Sequence, residues 1–99
     1  KAVAQKRKEI AVDPQVFDRY AGNYEPSPGS VFTVLREKDA LRIMLPSAPK
    51  LRLFPEAERE FFVKENDYLR VSFKTDDKGH ATSLILHLGQ LSIPAKRMK

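Results

Sequence analysis

The chain of 99 residues has no cysteine and no tryptophan, only two histidines and only four glycines. Without cysteine there is no disulfide framework, no thiol nucleophile and no thiolate metal site. Four glycines exclude a collagen-like repeat, and no apolar run approaches the ~18 residues that a membrane-spanning helix needs. Hydrophobic residues nevertheless make up 41% of the chain, too many for a disordered segment and about right for one globular domain. The chain begins at Lys1 without a charged-then-apolar leader and reads as a piece of a longer protein.

The net charge is +5, from eighteen Lys and Arg against thirteen Asp and Glu. Seven of those bases (Lys1, Lys6, Arg7, Lys8, Lys96, Arg97 and Lys99) lie in two tails beside a single acid, Glu9. Eleven bases and twelve acids remain between Ile10 and Pro94, so the body is close to neutral. A nucleic-acid module carries a basic stripe interleaved with stacking aromatics. Here Arg36, Arg42, Arg52, Arg70 and Lys74 alternate with apolar residues, as the solvent side of half-buried strands does, and no nucleic-acid partner is expected.

Residues 1–9 are polar and basic and read as a linker or the end of a preceding domain, residues 10–97 as the folded unit, and 98–99 as a tail. Asp13-Pro14 is a helix start, because Asp can accept from the free amides of the first turn and Pro suits the first helical position. Val16, Phe17 and Tyr20 follow at helical spacing, and the helix ends near Ala21-Gly22. Beyond Gly22 the hydrophobic period drops to two and turn residues recur every 8–12 positions. Strands are predicted at 23–26, 31–37, 41–45, 50–54, 60–64, 68–75, 81–88 and 93–97. Their connections are too short for parallel crossovers, so neighbours must be antiparallel. The expected fold is all-β: a small up-and-down barrel of about eight short strands with a short N-terminal helix.

The stretch Ile10-x-Val12-Asp13-Pro14-x-x-Phe17-Asp18-x-Tyr20-x-Gly22-x-Tyr24 is followed by Leu41-x-Ile43-x-Leu45-Pro46, Phe61-Phe62-Val63, Val71-x-Phe73, Leu84-x-Leu86-His87 and Pro94-Ala95-Lys96-Arg97. In order and spacing these resemble the uncharacterised lipocalin-like domain found C-terminal to class C beta-lactamase-like serine hydrolases, which include penicillin-binding-protein-like enzymes. The resemblance spans residues 10 to 97. It implies a barrel appended to a separate catalytic domain in a periplasmic or secreted bacterial protein, and it brings no catalytic residues of its own. Physically, the opening motif places a helix across one end of the barrel, with Gly22 allowing a close approach and Tyr24 plugging the base.

Two stretches echo signatures of that partner enzyme. Ser47-Ala48-Pro49-Lys50 fits Ser-x-x-Lys, and His87-Leu88-Gly89 fits a His-x-Gly variant. Ser-x-x-Lys needs both side chains on one helical turn, so that the amine can assist loss of the hydroxyl proton. Pro46 and Pro49 interrupt that geometry, no Tyr-x-Asn lies between the two stretches, and a proline turn is the expected structure. His80 and His87, seven residues apart on one strand, point to opposite faces and are poor joint metal ligands. Asp76-Asp77-Lys78-Gly79 lacks the ligand spacing of a calcium loop and reads as a hairpin turn. Glu56, Glu58 and Glu60 lie at a turn without apolar surroundings to tune a general acid. No catalytic, cofactor-binding or metal-ligating residue is therefore expected.

Two functions fit this reading. One is a non-catalytic accessory domain in intramolecular contact with a serine hydrolase domain, stabilising it or shaping substrate access. The other is a lipocalin-like module binding a small apolar ligand or an envelope component, suggested by nine aromatics in a small barrel. Strands of five to eight residues favour an interior filled by side chains.

Overall fold

The computed structural model describes residues 9–46, 50–57, 59–64 and 66–98, excepting the side chains of 66 and 67. Eight strands follow one short helix: β1 (Gly22–Ser27), β2 (Ser30–Glu37), β3 (Ala40–Met44), β4 (Leu51–Ala57), β5 (Glu60–Val63), β6 (Asn66–Thr75), β7 (Ala81–Leu88) and β8 (Leu91–Arg97). Each pairs antiparallel with the next and β1 pairs with β8, so the sheet is a closed up-and-down barrel, as the period-two pattern and short connections predict. Closure rests on two register pairs, Tyr24 with Arg97 and Glu25 with Lys96.

The helix (Pro14–Arg19) is of the 3-10 type. The Asp13 carboxylate accepts from the Gln15 amide at 3.0 Å, and the Val16 amide reaches the Asp13 carbonyl three residues back at 2.9 Å. Residues i and i+3 eclipse in such a helix, which puts Phe17 and Tyr20 on one side, both buried. An ion pair between Arg36 of β2 and Asp18, 2.9 Å long, ties the helix to the barrel wall.

Alternation sets the inside and the outside. Leu41, Ile43 and Leu53 are essentially inaccessible, as are Val71, Leu84 and Val34, whereas Arg42 and Arg52 between them face out. Beneath them five aromatics fill the end of the barrel that carries the helix. Tyr20 stacks on Phe73 with centroids 4.6 Å apart, Phe61 meets Tyr20 and Phe73 edge-on at 5.6 and 5.5 Å, and Phe17 and Tyr24 flank the group. Offset and edge-to-face contacts of this kind suit the quadrupoles of the rings.

One proline reading needed revision. The fourth strand does not stop at Phe54 but runs through Pro55, which pairs with Phe61. In an antiparallel strand the N–H and C=O of one residue point to the same side. The Pro55 carbonyl accepts from the Ile10 amide at 2.9 Å, on the edge that β3 has left uncovered, so the missing N–H removes no ladder bond. Pro94 sits in β8 opposite Ile85, beyond the two pairs that join β8 to β1, where its lack of a donor is equally harmless.

Candidate functional site

At the closed end, Tyr24 is the plug the opening motif implied. It is completely buried, and its hydroxyl donates to the Tyr20 carbonyl at 2.7 Å. Burial pushes its phenol up to about 12, partly offset by the nearby Arg97 cation. Arg97 is not part of a solvated basic tail, as its count among the terminal charges suggested. It belongs to β8, and its guanidinium donates from Nη2 to the Ala21 carbonyl at 2.7 Å and from Nη1 to the Ala81 carbonyl at 3.1 Å. Those bonds fasten the entry to β1, the start of β7 and the end of β8 together. Gly22 makes room for it: its φ is 156°, and a Cβ there would lie 2.9 Å from Arg97 Nε.

On the outer wall a polar chain crosses four strands. Ser72 Oγ donates to Glu60 Oε1 at 2.6 Å and lies 3.0 Å from His87 Nε2, while His87 Nδ1 lies 3.3 Å from Ser92 Oγ. The arrangement has a serine–histidine contact, but the carboxylate binds the serine rather than orienting the imidazole. Ser72 also lies within the regular ladder between Glu60 and Ile85, a setting unlike the exposed turn that presents a nucleophile. The chain ties neighbouring strands together and holds no assembled hydrolytic centre. Ser72 and His87 are fifteen residues apart and offset in register, so only the pairing of β6 with β7 brings them together.

Of the Ser47–Lys50 stretch that resembled a catalytic motif, only Lys50 is described. Ser47 lies outside the described residues, as does Glu58. Lys50 extends to Glu37 Oε2 at 2.6 Å, and this bond, with Arg42 on the other oxygen at the same distance, holds the Glu37 carboxyl below its usual range. His80 precedes β7 instead of lying within it, so the two histidines do not share a strand. Asp76 accepts from the His80 and Lys78 amides at 3.0 and 2.9 Å, and these bonds depress its own carboxyl. This is the turn expected for 76–79. Among the described residues no group of three or more His, Asp or Glu is placed to hold a metal ion.

At the end of the barrel opposite the helix, large apolar side chains stand exposed. Leu88 and Leu91 have the inward parity of Leu86 and Ala95 yet are 37% and 58% exposed, and Tyr68 beside them is 72% exposed. The Gly89 amide donates to the Tyr68 carbonyl at 3.0 Å, so the three residues share one corner of the rim. Leu45, Leu51 and Ile93 line the inner side of this rim, packed against the core. A separate cleft of about 250 Å³ lies between the 9–14 segment and β4, bordered by Ile10, Val12, Leu53, Phe54, Arg52 and Asp39. No helix among the described residues is long and apolar enough to cross a membrane.

Comparison with known proteins gives this geometry a context. Part of the chain is similar to "Penicillin-binding protein 4*" of Bacillus subtilis (strain 168), with 33% identity over 58 residues, or 59% of the chain. The matched stretch is only 13% of that protein, so the chain corresponds to a small part of its relative. No solved structure matches. The family model described as "Domain of unknown function (DUF3471)" matches residues 6–98, and the chain belongs to that family.

Proposed function

We propose that this DUF3471 domain is a non-catalytic accessory module of a bacterial beta-lactamase-like serine hydrolase, packing on the catalytic domain to stabilise it or to shape substrate access. The observation that carries the reading is the similarity of 58 residues to a small fraction of a penicillin-binding protein. A barrel whose polar wall serves strand pairing supports a role other than chemistry. The rim at Leu88 and Leu91 is the surface for the contact: two large apolar side chains are exposed there at the ends of paired strands, the character of an intramolecular interface. Export to the periplasm or the medium belongs to the same reading.

The test uses the intact hydrolase. Removing the barrel is expected to lower the melting temperature of the remaining catalytic domain, alter its kcat/KM towards its ester or peptide substrate, or do both. An unchanged melting temperature together with unchanged activity and substrate range would refute the accessory role.

The same rim supports a second reading, a lipocalin-like module that takes a small apolar ligand between Leu45, Leu51 and Ile93. Amide shifts of the chain during titration with a fatty acid distinguish it: movement at Leu86 and Ile93 favours ligand uptake, and no movement disposes of it.

A further inference from the structure

The outer wall of β3–β6 carries several cations, two of them without a carboxylate partner among the described residues. Arg42 and Arg52 stand directly opposite each other in register, both facing out. Arg70 stands opposite Phe62, which stands opposite Phe54, placing it two strands from Arg52 on the same face. Lys64 Nζ and Arg52 Cζ both lie over the Phe54 ring, 4.1 and 4.7 Å from its centroid. Glu37 serves Arg42 and Lys50, and Glu9 lies 3.5 Å from Lys64. Among the described residues neither Arg52 nor Arg70 has a carboxylate partner.

Like charges directly across a strand pair oppose sheet formation. The Phe54 quadrupole attracts both Arg52 and Lys64 and so holds two cations close together. A wall that gathers positive charge around one ring, with two guanidinium groups unmatched among the described residues, is complementary to an anionic partner. We propose that this face docks an acidic polypeptide segment, with Arg52 and Arg70 each receiving one carboxylate.

Guanidinium forks match carboxylates and phosphates alike in a bidentate manner, and two features select a polypeptide. Strand spacing and rise put the two arginine backbones roughly 12 Å apart, about the span of four residues of extended chain. Base stacking has no platform here, because Phe62 is buried and Phe54 is overlaid by its two cations. The proposal concerns a wall distinct from the apolar rim and does not rest on the accessory role.

The experiment is a titration of the ¹⁵N-labelled chain with a short poly-L-glutamate peptide at low salt, repeated at higher salt. Shifts are expected at Arg52, Phe54, Lys64 and Arg70, weakening as salt rises. The double variant Arg52→Glu/Arg70→Glu is expected to bind at least about tenfold more weakly, whereas Lys78→Glu, in the turn at the far end, binds as the parent chain does. The single variant Arg52→Gln, which removes one of the two forks, is expected to weaken binding by itself. The proposal is overturned by absence of binding, by equal shifts at Lys74, Lys78 and Lys96, or by tighter binding of a single-stranded oligonucleotide to the same residues.

Discussion

Replacing Tyr24 with phenylalanine deletes one oxygen from the largest fully buried side chain among the described residues. That oxygen donates to the Tyr20 carbonyl at 2.7 Å, and the Tyr24 side chain has no exposure to water. Such a bond contributes ~1 kcal/mol net, and loss of a donor to a buried carbonyl adds a desolvation cost, so Tyr24→Phe is expected to lose about 1–2 kcal/mol at pH 7. For a domain of this size that is a fall in melting temperature of roughly 5–15 °C. The same oxygen predicts a pH dependence with a definite sign. Its folded-state value is about 12, against 10.0 for the free side chain. Below pH 10 both states carry the proton and stability is undiminished. Between pH 10 and 12 the unfolded chain ionises first, and up to about 2.7 kcal/mol is lost. Phenylalanine has no such proton to lose, so the difference between parent and variant shrinks through this window. Urea titrations of both proteins from pH 7 to 12 measure it, since other tyrosines and lysines contribute equally to each. A variant as stable as the parent at pH 7, or a difference that stays constant to pH 12, would refute the assignment of Tyr24 as a buried, bonded phenol.

Further outcomes follow from other residues. Gly22→Ala places a methyl against Arg97 in a backbone conformation that L-residues avoid; a cost of about 1–3 kcal/mol is expected, and it should be less than additive with Arg97→Ala in a double-mutant cycle. Lys38 holds a left-handed φ of 56° in the β2–β3 turn, so Lys38→Asn, which tolerates that region, should gain a few tenths of a kcal/mol by thermal unfolding. The Asp76 carboxyl is held below its usual value by the His80 and Lys78 amides. Its contribution is present above the unfolded-state value and disappears as pH falls through the folded one, so Asp76→Ala should flatten the acid limb of the stability profile. Leu91→Ser, at an exposed rim position, should leave the isolated chain folded within about 0.5 kcal/mol yet reproduce the effect of barrel removal in the intact hydrolase.

Most of the architecture was legible because side-chain parity is a local property. Leu69, Val71 and Phe73 alternate with polar residues over consecutive positions, and short turns leave the chain no route but back along its neighbour. The helix was marked by Asp13-Pro14, and its 3-10 character reflects a length of six residues. Pro55 was misread because a proline inside a strand is harmless only when its edge has no strand neighbour, a fact of topology that the local sequence does not carry. Arg97 was misread through charge counting, although it shares the parity of buried Ala95 and that signal places it at the barrel's end. The Glu60–Ser72–His87–Ser92 chain and the Arg42–Arg52 opposition were invisible for another reason. Both depend on the register between neighbouring strands, and a shift of one residue would have moved each side chain to the other face.

The central claim is that this barrel works by contact through the rim opposite its helix. Hydrogen exchange on the isolated chain and on the same residues within the intact hydrolase tests it directly. The account predicts slower exchange in the intact protein at Tyr68, Gly89 and Leu91, and little change at the closed end around Tyr20 and Tyr24. Identical exchange at every rim amide would contradict it.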